Sequence, residues 1–140
     1  MSSPQLASYG CCVAKQPVSA SRKRPRVVVV DDEPSILEIW GAILTASGYN
    51  VECCSDATSA LEAIAVGCDC VLTDYHMPLM TGVELIRAAR KWSTAKFILM
   101  TGNMSSMLAE DAIGAGASCV LHKPTTAPQV LQKIESLCRG

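Results

Sequence analysis

The stretch Gly67-Cys-Asp-Cys-Val-Leu-Thr-Asp74-Tyr-His-Met-Pro78-Leu-Met-Thr-Gly82 decides how the chain is read. Val71 and Leu72 form a short apolar run that climbs to an isolated carboxylate, Asp74, and then breaks into a loop holding Pro78 and Gly82. A run bounded in this way is a buried strand delivering an acid to its own C-terminal end. An Asp at such a point also serves as an ordinary turn former. The choice rests on three other strand ends that carry matching chemistry.

Working outward, the same unit recurs. Upstream, Val27-Val-Val-Val30 is β-branched throughout, as suits a strand covered on both faces, and Asp31-Asp32-Glu33 follows at once. Pro34 fits a first helical turn, and Ile36, Ile39, Trp40, Ile43 and Leu44 recur at helical spacing before Gly48. Asn50–Cys54 is a short strand, and Asp56 caps a helix with Ala57, Ala60, Leu61 and Ile64 on one face, ending at Gly67. Residues 69–73 make the third strand. Thr81-Gly-Val-Glu84 is a capping-box pattern that opens a helix with Leu85, Ile86 and Ala89 inward.

Downstream, Lys96–Met100 is the fourth strand and ends in Thr101-Gly102. A helix from Ser105 to Ala115 places Leu108 and Ala112 inward, and Ser118–Leu121 is the fifth strand, closed by His122-Lys123-Pro124. Thr126 caps a last helix with Val130, Leu131, Ile134 and Leu137 on one face. Five strands alternating with five helices specify an α/β protein: a single (βα)5 doubly wound parallel sheet, flavodoxin-like, with strand order 2-1-3-4-5.

Composition agrees with one domain. At 140 residues and 49% hydrophobic, the chain has enough apolar material for one core and little for a second. A net charge of -1 gives no general attraction to nucleic acid, and no apolar run reaches the length of a membrane span. The N-terminus lacks the continuous apolar core of a secretory signal, so the expected location is cytoplasmic. Residues 1–25 read as a disordered arm and residues 26–140 as the folded domain. The basic end of the arm, Ser21-Arg-Lys-Arg-Pro-Arg26, reads as a solvated lead-in to the first strand.

Eight cysteines could imply a disulfide framework, but a core this rich in Val, Ile, Leu and Ala needs no staples. Cys53-Cys54 and Cys68-x-Cys70 lack zinc-ligand spacing, so most of the cysteines read as small buried hydrophobes. Cys11 and Cys12 fall outside the core pattern, with acylation or redox sensing as the alternative there. Gly114-x-Gly116 follows a helix and lacks a third glycine, which excludes a nucleotide loop.

In a parallel sheet every strand delivers its C-terminal residues to one edge. That edge gathers Asp31 and Asp32, Asp74, Thr101 and Lys123, while the second strand offers only Ser55 and Asp56. Three crowded carboxylates call for a cation, and all-oxygen donors favour magnesium over zinc. Lys123 adds a point charge suited to phosphate, and the Thr101 hydroxyl with the Gly102 amide adds neutral donors. A metal, an ammonium and a hydroxyl around one Asp describe a place for a phosphoryl group on Asp74.

Val-Asp31-Asp32-Glu33-Pro34, Asp74-Tyr-His-Met77-Pro78-x-x-x-Gly82, Thr101-Gly102 and Lys123-Pro124 together resemble the response-regulator receiver domain of two-component signalling, over about residues 26–139. The chemotaxis receiver of that family is itself a known example of the 2-1-3-4-5 order. The resemblance implies that Asp74 is the phosphoacceptor, with Lys123 and Thr101 as its catalytic companions and Tyr75 and Gly102 binding phosphate. It implies a magnesium ion held by Asp32 directly, by Asp31 largely through water, by Asp74 and by the backbone carbonyl of His76. It also implies a cis Lys123-Pro124 bond. The partners it implies are a sensor histidine kinase or histidine phosphotransfer protein and a downstream protein target, with no nucleic acid and no membrane.

The chain departs from the family at several points. Val120 stands where an aromatic residue commonly precedes the Lys, and Thr125 stands where Phe often follows Lys-Pro. His76 and Asn103 occupy positions that tune phosphate lifetime in the family, and His76 reads equally as an exposed loop residue. Met104, Met107 and Leu108 read as packing of the fourth helix, with an adaptable partner face as the alternative. The leading function is a stand-alone signalling phosphoacceptor, not an enzyme, that promotes its own phosphorylation and dephosphorylation. The alternatives are an aspartate-nucleophile phosphatase, which would want an acid where His76 stands, and an inactive pseudo-receiver.

Overall fold

The computed structural model describes residues 24–139. The arm before them, with Cys11 and Cys12, lies outside the described residues. The elements are β1 (Arg26–Val30), α1 (Pro34–Ala46), β2 (Asn50–Cys54), α2 (Ala57–Val66), β3 (Cys70–Asp74), α3 (Gly82–Ala89), β4 (Lys96–Thr101), α4 (Ser106–Ala115), β5 (Cys119–His122) and α5 (Ala127–Arg139). All four strand pairings are parallel and the order is β2-β1-β3-β4-β5. The alternation of strands and helices therefore gives the doubly wound sheet expected of it.

Strand alternation sorts the core into two layers. Val28, Val30, Val71 and Leu99 face α2, α3 and α4, whereas Val27, Val29, Leu72 and Ile98 face α1 and α5. Each of the four valines of β1 is wholly shielded, a contribution of about 1.5–3 kcal/mol per side chain. The chain leaves β1 toward β2 on one face and returns over β1 to β3 on the other. This reversal opens a crevice at the C-terminal ends of β1 and β3, where a ligand site belongs.

Local signals account for the helix boundaries. Asp56 accepts the Ser59 amide at 2.7 Å and opens α2. Gly67, at φ 122°, ends that helix in a conformation that glycine adopts at little cost. Thr81 and Glu84 close a reciprocal capping box on α3, with bonds of 3.1 and 2.9 Å. Thr81→Ala is therefore expected to lower stability by about 1 kcal/mol in urea unfolding. A midpoint equal to the wild type would show that the cap contributes nothing.

Four expectations need correction. Ile39 is exposed, and the inner face of α1 is carried by Trp40 and Leu44 with Ile36, Leu37 and Ile43 half-buried. Leu37 and Gly41 lie against Cys53 of β2, and Ile39, two residues from each, stands on the opposite side of the helix, turned away from that strand. Cys53 is exposed on that same edge strand, whereas Cys54 and Cys70 are buried. Met104 and Met107 are exposed and do not pack α4, which docks through the small residues Ala112 and Ala115. Arg26 is not a solvated lead-in: its guanidinium meets Glu52 at 2.8 Å and the Gly67 carbonyl at 2.8 Å.

Candidate functional site

Register places the chemistry. Val30 pairs with Thr73, so Asp31 and Asp74 reach the edge of neighbouring strands at the same height. Asp74 pairs with Met100 and Thr101 pairs with His122, so Thr101 and Lys123 each follow one residue beyond a paired position. Asp74 is the last residue of β3 itself, 7% exposed, and its neighbours Asp31 and Thr101 are 2% and 0% exposed. Two acids and a hydroxyl are thus held almost out of water by the sheet.

The distances show which side chains meet. Lys123 Nζ lies 2.6 Å from Asp74 Oδ1, an ion pair between a half-buried ammonium and a buried carboxylate. Asp31, Asp32 and Asp74 each offer a carboxylate oxygen, and these oxygens lie within 4.8 Å of one another. Thr101 Oγ1 accepts the Asn103 amide at 3.1 Å. Lys123 is anchored at its own backbone, where its N–H donates to the Thr101 carbonyl at 2.8 Å. The Lys123-Pro124 peptide is cis, as the family pattern implies.

Asp31 carries the strain of this crowding. One oxygen, Oδ1, accepts the Glu33 amide at 3.0 Å, while Oδ2 is buried with no hydrogen-bond partner. Burial, first, and the nearby charges of Asp74 and Asp32 push the Asp31 carboxyl above its ordinary range, against the pull of the Glu33 amide and of Lys123. An orphaned carboxylate oxygen beside two further carboxylates, with oxygen as the only donor type, fits a hard divalent cation. The residues present therefore suit magnesium.

The raised pKa fixes the sign of a pH effect. The folded state holds the Asp31 proton more tightly than the unfolded chain, so this group favours folding below the ordinary carboxylate pKa. The advantage is lost as pH rises through the folded value. In a chelator, Asp31→Asn is expected to raise stability at neutral pH by about 1 kcal/mol and to flatten the fall in stability above about pH 4. Urea titrations across that range check it, and a destabilised variant would contradict it.

The remaining predicted residues are less engaged. The Tyr75 amide donates to the Met100 carbonyl at 2.9 Å, so any phosphate contact from it would share that proton. Gly102 and His76 are exposed at the mouth, and the His76 ring stands edge-on to Tyr75, with centroids 4.9 Å apart. Val120 is half-buried and packs against the α2–α3–α4 layer in place of an aromatic. Two contributors went unread in the sequence. The Glu33 amide holds Asp31, and Gly82 lies against the Asp74 backbone. The first had a signal in the Asp-x-Glu-Pro helix start, the second in the family spacing from Asp74 to Gly82, which marks the position but not its contact.

The comparisons with known proteins agree with this geometry. Residues 27–135 match the response regulator receiver domain family, and the chain belongs to it. The chain is 33% identical over 114 residues to the transcriptional regulatory protein KdpE of Mycobacterium tuberculosis, covering 81% of this chain and 50% of that protein. It spans about half the length of such curated relatives.

Among solved structures, it is similar to the signal receiver domain of the putative response regulator NarL from M. tuberculosis. There the TM-score is 0.77 and the identity 28%, covering 84% of this chain and 98% of that one. A CheY-like receiver domain protein from Methanospirillum hungatei gives a TM-score of 0.78 at 32% identity, covering 81% and 93%. The chain is thus a receiver domain of two-component signalling. Receiver domains of response regulators are signalling proteins, and they bind magnesium at an acidic pocket. No helix among the described residues is long and apolar enough to cross a membrane.

Proposed function

We propose that this chain takes a phosphoryl group from a partner phosphohistidine onto Asp74, and that the acyl phosphate switches its binding to a downstream protein or passes the phosphoryl group on. The observation that carries the reading is the 2.6 Å contact between Lys123 Nζ and Asp74 Oδ1 beside a three-carboxylate cluster. A lone structural Asp would need neither neighbour.

In the transfer, an Asp74 carboxylate oxygen attacks phosphorus as the bond from phosphorus to the histidine nitrogen breaks, and that nitrogen keeps the electron pair. Lys123 leaves its ion pair to hold a phosphoryl oxygen, and the Thr101 hydroxyl, turned from Asn103, donates to another. Asp31, Asp32, Asp74 and the His76 carbonyl would hold magnesium, which offsets the carboxylate repulsion and the negative charge of the phosphoryl oxygens. Water attacking the phosphorus later returns the carboxylate and releases inorganic phosphate, giving the domain its own reset. The proposed setting is cytoplasmic, with a histidine kinase or phosphotransfer protein as donor.

The test is intact mass after mixing the protein with magnesium and acetyl phosphate. One phosphoryl adduct per chain, released by hydroxylamine and lost with chelator, is the expected result. No adduct from acetyl phosphate or phosphoramidate would overturn the reading, and steady turnover of unrelated phosphate esters would favour a phosphatase.

A further inference from the structure

The end of the sheet away from Asp74 gathers a second set of reactive side chains. Cys70 opens β3 and Cys138 lies in the last turn of α5. Val130 and Ile134 are the buried residues of α5, and Cys138 stands four residues beyond Ile134, so it continues the inward stripe of that helix. Cys70 is 0% exposed in the same apolar layer, against which Cys138 packs from the half-exposed helix end. Their thiols are hydrogen-bond partners.

The start of β3 is held in place. Asp69, the residue before Cys70, accepts the Arg26 amide on its carboxylate at 2.8 Å and the Lys96 amide on its carbonyl at 3.0 Å. Two sulfurs therefore face one another, one fixed in a strand and one on a helix end that meets solvent.

We propose that Cys70 and Cys138 form a redox-responsive pair that closes to a disulfide under hydrogen peroxide, tying the last turn of α5 to the start of β3. The roles within the pair differ. The bond to Cys138, first, and burial hold the proton on Cys70 far more tightly than on an ordinary thiol. Cys70 is wholly buried, whereas Cys138 is only partly buried and is the sulfur that a peroxide can reach. The Cys138 thiolate attacks a peroxide oxygen and the O–O bond breaks, giving a sulfenic acid and hydroxide, which takes a proton to become water. Cys70 sulfur then attacks Cys138 sulfur, the S–O bond breaks, and the departing hydroxide takes the Cys70 proton as a second water. Two thiols are oxidised by two electrons and one peroxide is reduced.

A soft-metal nest is a poorer fit. Among the described residues, Asp31, Asp32 and Asp74 form the group of three or more donors that converges at ligand distance, and no cysteine joins it. Cys68 and Cys119 lie close enough to Cys70 to act on its charge, without completing such a group.

The full chain, oxidised with hydrogen peroxide, alkylated after unfolding and digested with trypsin and an aspartate-specific protease, gives an unambiguous readout. Residues 69–73 contain Cys70 as their single cysteine, and residues 134–139 contain Cys138 as theirs. A cross-link between these two peptides, reversed by dithiothreitol and absent in Cys138→Ser, is expected, with a higher melting temperature for the oxidised wild type. Full alkylation of both thiols after peroxide overturns the proposal. So does a bond from Cys138 to Cys68 or Cys119, or sulfinic acid at Cys138 with no cross-link. The wild-type map stands by itself should the variant fold poorly.

Discussion

Asp74→Asn is expected to give a folded protein that takes no phosphoryl group from acetyl phosphate in magnesium, against a single adduct for the wild type by intact mass. The amide fills the space of the carboxylate but has no anionic oxygen to attack phosphorus. Folding should survive because the change also removes one of three carboxylates whose oxygens lie within 4.8 Å, which relieves repulsion on the buried Asp31. Against that gain stands the lost partner of Lys123, which is half-buried and can turn its ammonium to water. The thermal midpoint is therefore expected to stay level or rise while the adduct vanishes. Lys123→Ala makes the informative contrast: the nucleophile remains, the charge that would hold a phosphoryl oxygen is gone, and adduct formation should slow by about 10²–10³-fold. An adduct of equal size in Asp74→Asn would place the acceptor on another residue.

The parts of this site that were legible in the sequence share one property: each is the last residue of a strand or the residue just beyond it. Asp31, Asp74, Thr101 and Lys123 could be aligned by topology because a parallel sheet sends every strand end to the same edge. Which oxygen lacks a partner was not legible. The orphaned Oδ2 of Asp31 depends on the Glu33 amide occupying Oδ1, a turn geometry that residue types alone do not specify. Helix periodicity likewise named the apolar stripe of α1 but not its limits. Ile39 and Trp40 are neighbours in sequence, yet only Trp40 is buried, and which of them is covered depends on how the helix is turned on the sheet, with Leu37 and Gly41 toward β2. Met107, at 79% exposed, shows the same limit on α4, where apolar character and burial part company because small alanines make the contact. The pairing of Cys70 with Cys138 was hidden for a different reason. It joins a strand start to a helix end 68 residues later, and no local pattern connects them.

Gly82→Ala is expected to cost about 3 kcal/mol or more in urea unfolding and to impair phosphorylation in the molecules that fold. A Cβ at this position would press into the Asp74 carbonyl oxygen and come within 2.6 Å of Leu99 Cδ1. Leu99 is fully buried in β4, and the Asp74 carbonyl belongs to the central strand β3, so neither can swing aside as a surface side chain would. Gly82 itself is pinned, since its amide donates to the Tyr75 carbonyl at 2.8 Å and closes the loop onto the strand end. Relief must come from moving the Asp74 backbone, which moves the carboxylate relative to Lys123. The glycine is thus a spacer that lets α3 begin directly beneath Asp74. Gly114→Ala supplies the control of opposite sign. Within α4 a Cβ there meets no atom within 4 Å, so alanine should stabilise by about 0.5–1 kcal/mol through helix propensity and leave phosphorylation unchanged. Equal stability for the two variants would show that the close approach of Gly82 to Asp74 does not constrain the site.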